Sequence, residues 1–331
     1  MKALVYLGPN SLVYRDEPEP VPGNDEAVVK VEAVGICGSD MHAYHGLDTR
    51  RPAPLILGHE AAGTIVTGPR TGERITVNPL VVDPLCPYAV RGLPHLSPTR
   101  QILSMPPRPG AFAGYVSVPE RNLLPISPDL PIFEAALAEP IAVSWHAVRV
   151  GTEKLQQPIA TARVAVLGGG AIGLAAALVA KLFAAAEVYV GETNAGRRET
   201  LQAIGGLTVY DPSNGGGPQA DSMDLVIDAV GAGATRAAAS RMVRPGGVIV
   251  HIGLLPGVDG LDIRKITLQE VTFTGSYCYT PQDFADTVHA LEHRRFGSIG
   301  WIEQRSLADG AQAFRDIDQG SVSAAKIVLR V

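Results

Sequence analysis

The stretch "RVAVLGGGAIGLAAALVAK", residues 163–181, does most to limit what this chain can become. A short apolar run enters a turn carrying Gly168, Gly170 and Gly173 and leaves it as an Ala- and Leu-rich helix. Downstream, "AEVYVGE", a helix through "RRETLQAIG", "LTVYD", "MDLVIDAVG", a helix from about Thr235 and "GGVIVHIG" continue the alternation. Repeated strand and helix predict a parallel sheet covered on both faces, a doubly wound α/β unit. In that setting the GxGxxG spacing, which includes Ala171 and Ile172, lets backbone approach a pyrophosphate at a helix N-terminus. Glu192 follows Gly173 by 19 residues, near the distance at which an acid meets the adenosine ribose hydroxyls. A carboxylate there repels a 2'-phosphate and accepts from a free 2'-OH, so NAD is expected over NADP. Arg197 and Arg198 stand just beyond; they are either cofactor-side cations or solvated arginines of a first helical turn.

The first 130 residues have a different texture. "AVVKVEAVGIC", "AAGTIVTG", "ERITVNP" and "AGYVSVP" are period-two runs bounded by Gly and Pro, the pattern of antiparallel strands in a barrel-like unit. After "VTFTGSYCY", a helical stretch "PQDFADTVHALEHRR" and a strand "AAKIVLRV" leave no room for a separate core and are expected to return to the first unit. The resulting division is residues 1–140 with 277–331, and residues 141–276 between them.

A formal net charge of -5 and no basic run give no reason to expect nucleic acid or an anionic membrane. The longest apolar region, "AIGLAAALVAKLFAAAEVYV", is broken by Lys181 and Glu187 and does not read as a membrane span. The first residues, "MKALVYLGPN", read as a strand rather than a signal peptide. Three cysteines, Cys37, Cys86 and Cys278, are too few for a disulfide framework, which points to a reducing, cytoplasmic setting.

One short segment, "GICGSDMHAYHG", gathers Cys37, Ser39, Asp40, His42 and His45, and "LILGHEAAG" adds His59 and Glu60. Thiolate, imidazole and carboxylate form a donor set that zinc accepts. Each residue taken singly has an ordinary structural explanation; the combination beside a dinucleotide unit is what singles them out.

These motifs, with "GERITVNP", "GAFAGYVSVPERNLLPI", "AALAEPIAVSWHAV" and the C-terminal "AAKIVLRV", resemble the zinc-dependent medium-chain alcohol and polyol dehydrogenases over essentially the whole chain. The resemblance implies a GroES-like, mainly-β catalytic domain joined to a Rossmann-type NAD-binding domain. It implies metal-binding positions at Cys37, His59 and Glu139, with Glu60 ligating or standing beside the ion. Ser39 is then the group that takes the substrate's hydroxyl proton, His42 the surface end of that proton path, and Asp40 the residue that orients His59. Glu139 also has a plain reading, a carboxylate at a helix N-terminus with Pro140 at the first helical position. His45 has no assigned role. A strand such as "GGVIVHIG" is expected at the sheet edge, pairing subunits into a homodimer or homotetramer.

The sequence departs from its relatives in two places. Many of them bind a second, structural zinc through four cysteines, where this chain has Asp83, Cys86, Ala89 and Ser97; one ion per subunit is expected. Polyol dehydrogenases often resemble "RY" where Ser276 and Tyr277 stand, which leaves open whether the substrate is a polyol or a less polar secondary alcohol or diol. Tyr44, Phe112 and Trp145 are candidates for the pocket wall or for plain core. Two other readings are a zinc-free, NADPH-dependent reductase of the same superfamily and a cofactor-binding protein without turnover.

Overall fold

The structure is a computed structural model that describes residues 1–331. Its nucleotide-side sheet has six strands in the order Thr208–Tyr210, Glu187–Gly191, Arg163–Leu167, Met223–Asp228, Val243–His251 and Thr272–Gly275, and every pairing within it is parallel. Side-chain alternation explains the two-sided burial. Val164 and Val166 enter one core with the helices Ala138–Thr152 and Ala171–Leu182, while Ala165 and Leu167 enter another with Ala239 and Met242 of the helix Gly233–Met242. Leu225 and Ile227 against Val226, and Val248 and Val250 against Ile249, repeat this division. A strand buried on both faces must be apolar throughout, as these are. The apolar stretch after residue 171 resolves into the helix Ala171–Leu182 and the strand Glu187–Gly191, and no helix is long and apolar enough to cross a membrane.

One expectation is corrected. The strand containing "GGVIVHIG" is not at the edge: it lies between Met223–Asp228 and Thr272–Gly275, and the latter is the edge strand. The four residues "TFTG" carry too little apolar pattern to announce a strand alone, and they are placed by parallel pairing to Val248–His251.

The second large sheet runs Leu123–Pro125, Arg74–Val77, Glu60–Ile65, Glu26–Gly35, Lys326–Arg330 and Ile302–Ser306, with Tyr115–Pro119 also paired to Glu26–Gly35. The C-terminal strand thus returns to the N-terminal half, pairing antiparallel through Val328 and Gly35. The helix Pro281–Glu292 goes elsewhere. Its Phe284, Val288 and Leu291 share the core of the helices Ala138–Thr152 and Ala171–Leu182. Residues 277–331 therefore contribute both to that core and, through Leu307, Phe314, Ile327 and Leu329, to the core of the N-terminal half around Val29, Ile65 and Phe112.

Candidate active site

The helix Gly38–Tyr44 begins at Cys37, whose backbone N–H donates to Asp40 Oδ2 at 3.0 Å. Asp40 is fully buried, and its other oxygen accepts from Gly58 N–H at 3.3 Å and lies 3.6 Å from His59 Nδ1. Burial alone would raise the Asp40 carboxyl; His59 and Arg51 outweigh it and hold the group below the usual carboxylate range. Ser104 Oγ also approaches His59 Nδ1, at 3.4 Å. With Nδ1 occupied by these partners, Nε2 is the nitrogen left to bind outward.

The donor atoms of Cys37, His59 and Glu60 all lie within 4.8 Å of one another. Burial would disfavour charge on His59, but Asp40 and Cys37 push its pKa well above the ordinary value. A position that favours a positive ring also favours a bound cation, so the donor set fits zinc in both chemistry and electrostatics. Glu60 has a further partner: Lys326 Nζ reaches its two oxygens at 2.6 and 2.8 Å and donates to Ile36 O at 2.9 Å. Glu139 stands outside the close group of three. Its Oε1 accepts from Tyr279 Oη at 2.9 Å, and burial pushes its pKa up to about 7, with Glu60 adding to the rise and His59 opposing it. The helix begins at Ala138, after Leu137 as N-cap, so Pro140 is the third helical residue and not the first as expected. Proline is tolerated there because no N–H of the first turn has an intrahelical acceptor.

Ser39 Oγ accepts from Arg51 Nη2 at 3.4 Å, and the same guanidinium donates to Ser39 O, Ser104 O and Asp48. His42 is half-buried, and burial lowers its pKa. His45 is exposed and pairs with Asp318 at 2.7 Å. Tyr44 and Phe112 are core: both pack on Phe314, with ring centroids 5.4 and 5.9 Å away. Trp145 packs edge-on against Phe183. In the lobe after Asn78, Cys86 caps a four-residue helix, accepting from Ala89 N–H at 3.4 Å, and lies 3.6 Å from Ser97 Oγ, while Asp83 accepts from Leu85 N–H. Asp83 and Cys86 cannot complete a four-ligand site with an alanine.

On the nucleotide side, Gly168 adopts φ +98, and a Cβ on Gly173 would sit 1.8 Å from Gly168 O. Both positions therefore demand glycine. Glu192 is buried at the end of its strand and accepts from Gly169 N–H and Asn194 N–H, each at 2.8 Å. Arg198 turns toward Asp211 and the carbonyls of Glu192 and Thr193. Arg197 instead lines the cleft beside Glu192, and its buried Nε has no partner. That cleft, about 970 Å³, is bordered by Cys37 and Gly38 on one side and by Gly168, Gly170, Ala171, Ile172, Gly173 and Glu192 on the other. A larger cavity, about 1440 Å³, is lined by His95, His146, Tyr277 and Asp283 and by none of the three donor residues.

Sequence reasoning missed Lys326, Arg51 and Tyr279. For Lys326 a signal existed, a lysine inside the otherwise apolar strand "AAKIVL". Nothing local distinguishes Arg51 or Tyr279 from ordinary loop residues.

The family described as alcohol dehydrogenase GroES-like domain matches residues 23–128, and that described as zinc-binding dehydrogenase matches residues 171–293. The chain is 34% identical over 305 residues to L-galactonate-5-dehydrogenase of Escherichia coli, covering 86% of this chain and 85% of that protein. It is 27% identical over 350 residues to D-xylulose reductase of Saccharomyces cerevisiae, covering 99% and 97%. Among solved structures, an Escherichia coli alcohol dehydrogenase in complex with NADH superposes with TM-score 0.88 at 25% identity over 100% of this chain and 99% of that one. The chain belongs to the medium-chain alcohol and polyol dehydrogenase family, and it is an oxidoreductase of alcohols or polyols that works with a nicotinamide cofactor.

Proposed function

We propose that this protein interconverts a secondary alcohol or polyol with its ketone or aldehyde, using NAD and one zinc ion per subunit. One observation carries the reading: Cys37, whose thiol lies within 4.8 Å of the donor atoms of His59 and Glu60, borders the same cleft as Gly168, Gly170, Gly173 and Glu192. A bound zinc ion would supply a Lewis acid for the substrate's hydroxyl oxygen, and the nicotinamide would take the hydride. Cys37 and His59 hold the ion, and Glu60 and Glu139 supply carboxylate. Asp40 fixes the His59 ring so that Nε2 faces inward. Ser39 Oγ, held by Arg51, accepts a hydrogen bond from the substrate's hydroxyl and, as it takes that proton, releases its own along the path through the cofactor ribose to His42 at the surface. Glu192 accepts from the adenosine ribose hydroxyls, and the backbone of Gly168, Gly170, Ala171, Ile172 and Gly173 approaches the pyrophosphate. Residues 1–140 and 277–331 form the catalytic unit, residues 141–276 the dinucleotide unit.

NADP in place of NAD has one feature in its favour, the unpartnered Arg197 Nε beside Glu192. A relative from Sinorhizobium meliloti, 28% identical with TM-score 0.87 over 100% of this chain and 99% of that one, is bound to NADP. The free edge of the strand Thr272–Gly275 suits pairing across a two-fold axis, giving a homodimer or homotetramer. Unpaired cysteines fit a cytoplasmic location. The test is a panel of alcohols, polyols and ketones with both cofactors, read as nicotinamide absorbance before and after chelation. Turnover with NAD that is lost on chelation and restored by zinc supports the proposal; turnover indifferent to chelation overturns it.

A further inference from the structure

Outside the residues that border the cleft, the helix Pro281–Glu292 and its C-cap His293 close with the sequence "HALEH", residues 289–293. His289 and His293 are four residues apart, one helical turn, so they share a face. The apolar face of this helix is spent on the core through Phe284, Val288 and Leu291, and both histidines are exposed. Their ring centroids are 4.0 Å apart. One donor atom from each of His289, Glu292 and His293 lies within 4.8 Å of the others.

A solvent-facing histidine pair alone would mean little. Here two of the three donors are also preset. His293 Nδ1 lies 2.8 Å from His289 O; as an N–H donor to that carbonyl it leaves Nε2 with a free lone pair, the tautomer a metal requires. Glu292 Oε1 accepts from Ser127 N–H at 2.7 Å, which anchors the carboxylate across to the neighbouring loop. The site also sits at the C-terminal turn of a twelve-residue helix, where backbone carbonyls favour positive charge.

We propose that His289, Glu292 and His293 form a second, exchangeable site for a borderline transition-metal cation such as Zn(II), Cu(II) or Ni(II), separate from the cleft. Two imidazoles and one carboxylate suit these ions, whereas Mg(II) requires mostly oxygen donors. Water completes the coordination shell. Because Glu292 is tied to Ser127, and Ser127 O accepts from Arg74, occupancy would fasten the helix end to the 126–130 loop and stabilise the folded chain by mass action.

The test uses the Cys37→Ala protein, in which the cleft donor set is broken, so its outcome does not depend on the proposed catalytic ion. Zn(II), Ni(II) and, as a control, Mg(II) are titrated by calorimetry, with melting temperature recorded in parallel. The expected result is one equivalent of Zn(II) or Ni(II) per chain, a raised melting temperature, and no response to Mg(II). Adding His289→Ala or His293→Ala should weaken that binding at least about tenfold, while either change alone in the otherwise native enzyme leaves turnover intact. Absence of binding at millimolar metal, or binding unchanged in both histidine variants, overturns the proposal.

Discussion

Lys326 Nζ lies 2.6 and 2.8 Å from the two carboxylate oxygens of Glu60, and both side chains are buried. Glu60 is the carboxylate that pairs directly with the lysine, and the charges of Cys37 and Glu139 also act on it. Removing Lys326 leaves a charge in a dry site, which costs about 3–5 kcal/mol. Lys326→Met is therefore expected to unfold at markedly lower urea once metal has been chelated, and added zinc should recover part of the loss by supplying a replacement cation. A variant as stable as the parent without metal would show that Glu60 is not dependent on this partner.

Cys37→Ala removes the only thiol of the donor set. Outer partners of metal ligands already cost about 10–100-fold in affinity when lost, so a ligand itself should cost at least as much. Elemental analysis after gel filtration is expected to fall from one zinc per chain to none, and turnover with it. Two tightly held ions in the parent protein would contradict the reading of Asp83, Cys86, Ala89 and Ser97.

Cofactor choice can be read at Glu192. Its oxygens accept from two backbone N–H groups, and a carboxylate has capacity left for ribose hydroxyls. Glu192→Gln keeps the size and removes the charge that repels a 2'-phosphate. The ratio of kcat/KM for NAD to that for NADP should drop about tenfold, equivalent to about 1.4 kcal/mol. An unchanged ratio would place selectivity elsewhere, with Arg197 the next residue to vary.

His95 sets a pH dependence of stability. The ring is buried, its Nδ1 has no partner, and it meets His146 edge-on at 4.9 Å. Burial pushes its pKa down to about 4, with His146 adding to the fall and Asp283 opposing it. The unfolded chain takes up a proton near 6.5 that the folded protein refuses until about 4. Its stability contribution is thus complete above 6.5, declines as pH falls from 6.5 to about 4, and is lost below that. The bound is about 3 kcal/mol, reduced by the water that the adjoining cavity admits. Urea midpoints measured across this window should slope for the parent and flatten for His95→Leu. Asp283 acts at lower pH: burial would raise it, but hydrogen bonds from His146, Arg149 and Thr280 hold it well below its ordinary value.

The doubly wound unit was legible because its physics is local. Val164 and Val166 must be apolar for one face, Ala165 and Leu167 for the other, and Gly173 has no room for a Cβ. Cys37, His59 and Glu60 were legible as a group because two short motifs carry them, and the chain folds those motifs together. What stayed hidden depends on distant pairing. The Thr272–Gly275 strand exists through its ladder to Val248–His251, and Lys326 and Tyr279 acquire meaning only from partners more than a hundred residues away. Gly35 belongs with them: a Cβ there would lie 2.0 Å from Glu60 Oε2, a constraint that the sequence shows only as one more glycine near a strand end.

The antiparallel return of Lys326–Arg330 onto Glu26–Gly35 also sets an order of events during synthesis. Glu60 emerges from the ribosome 266 residues before its counter-cation, so the nascent N-terminal sheet must wait with an open slot and an uncompensated anion inside it. Contacts of such sequence separation form slowly. A chain stalled short of its last strand should therefore leave a protease-sensitive N-terminal half, however well its nucleotide-side sheet has already closed.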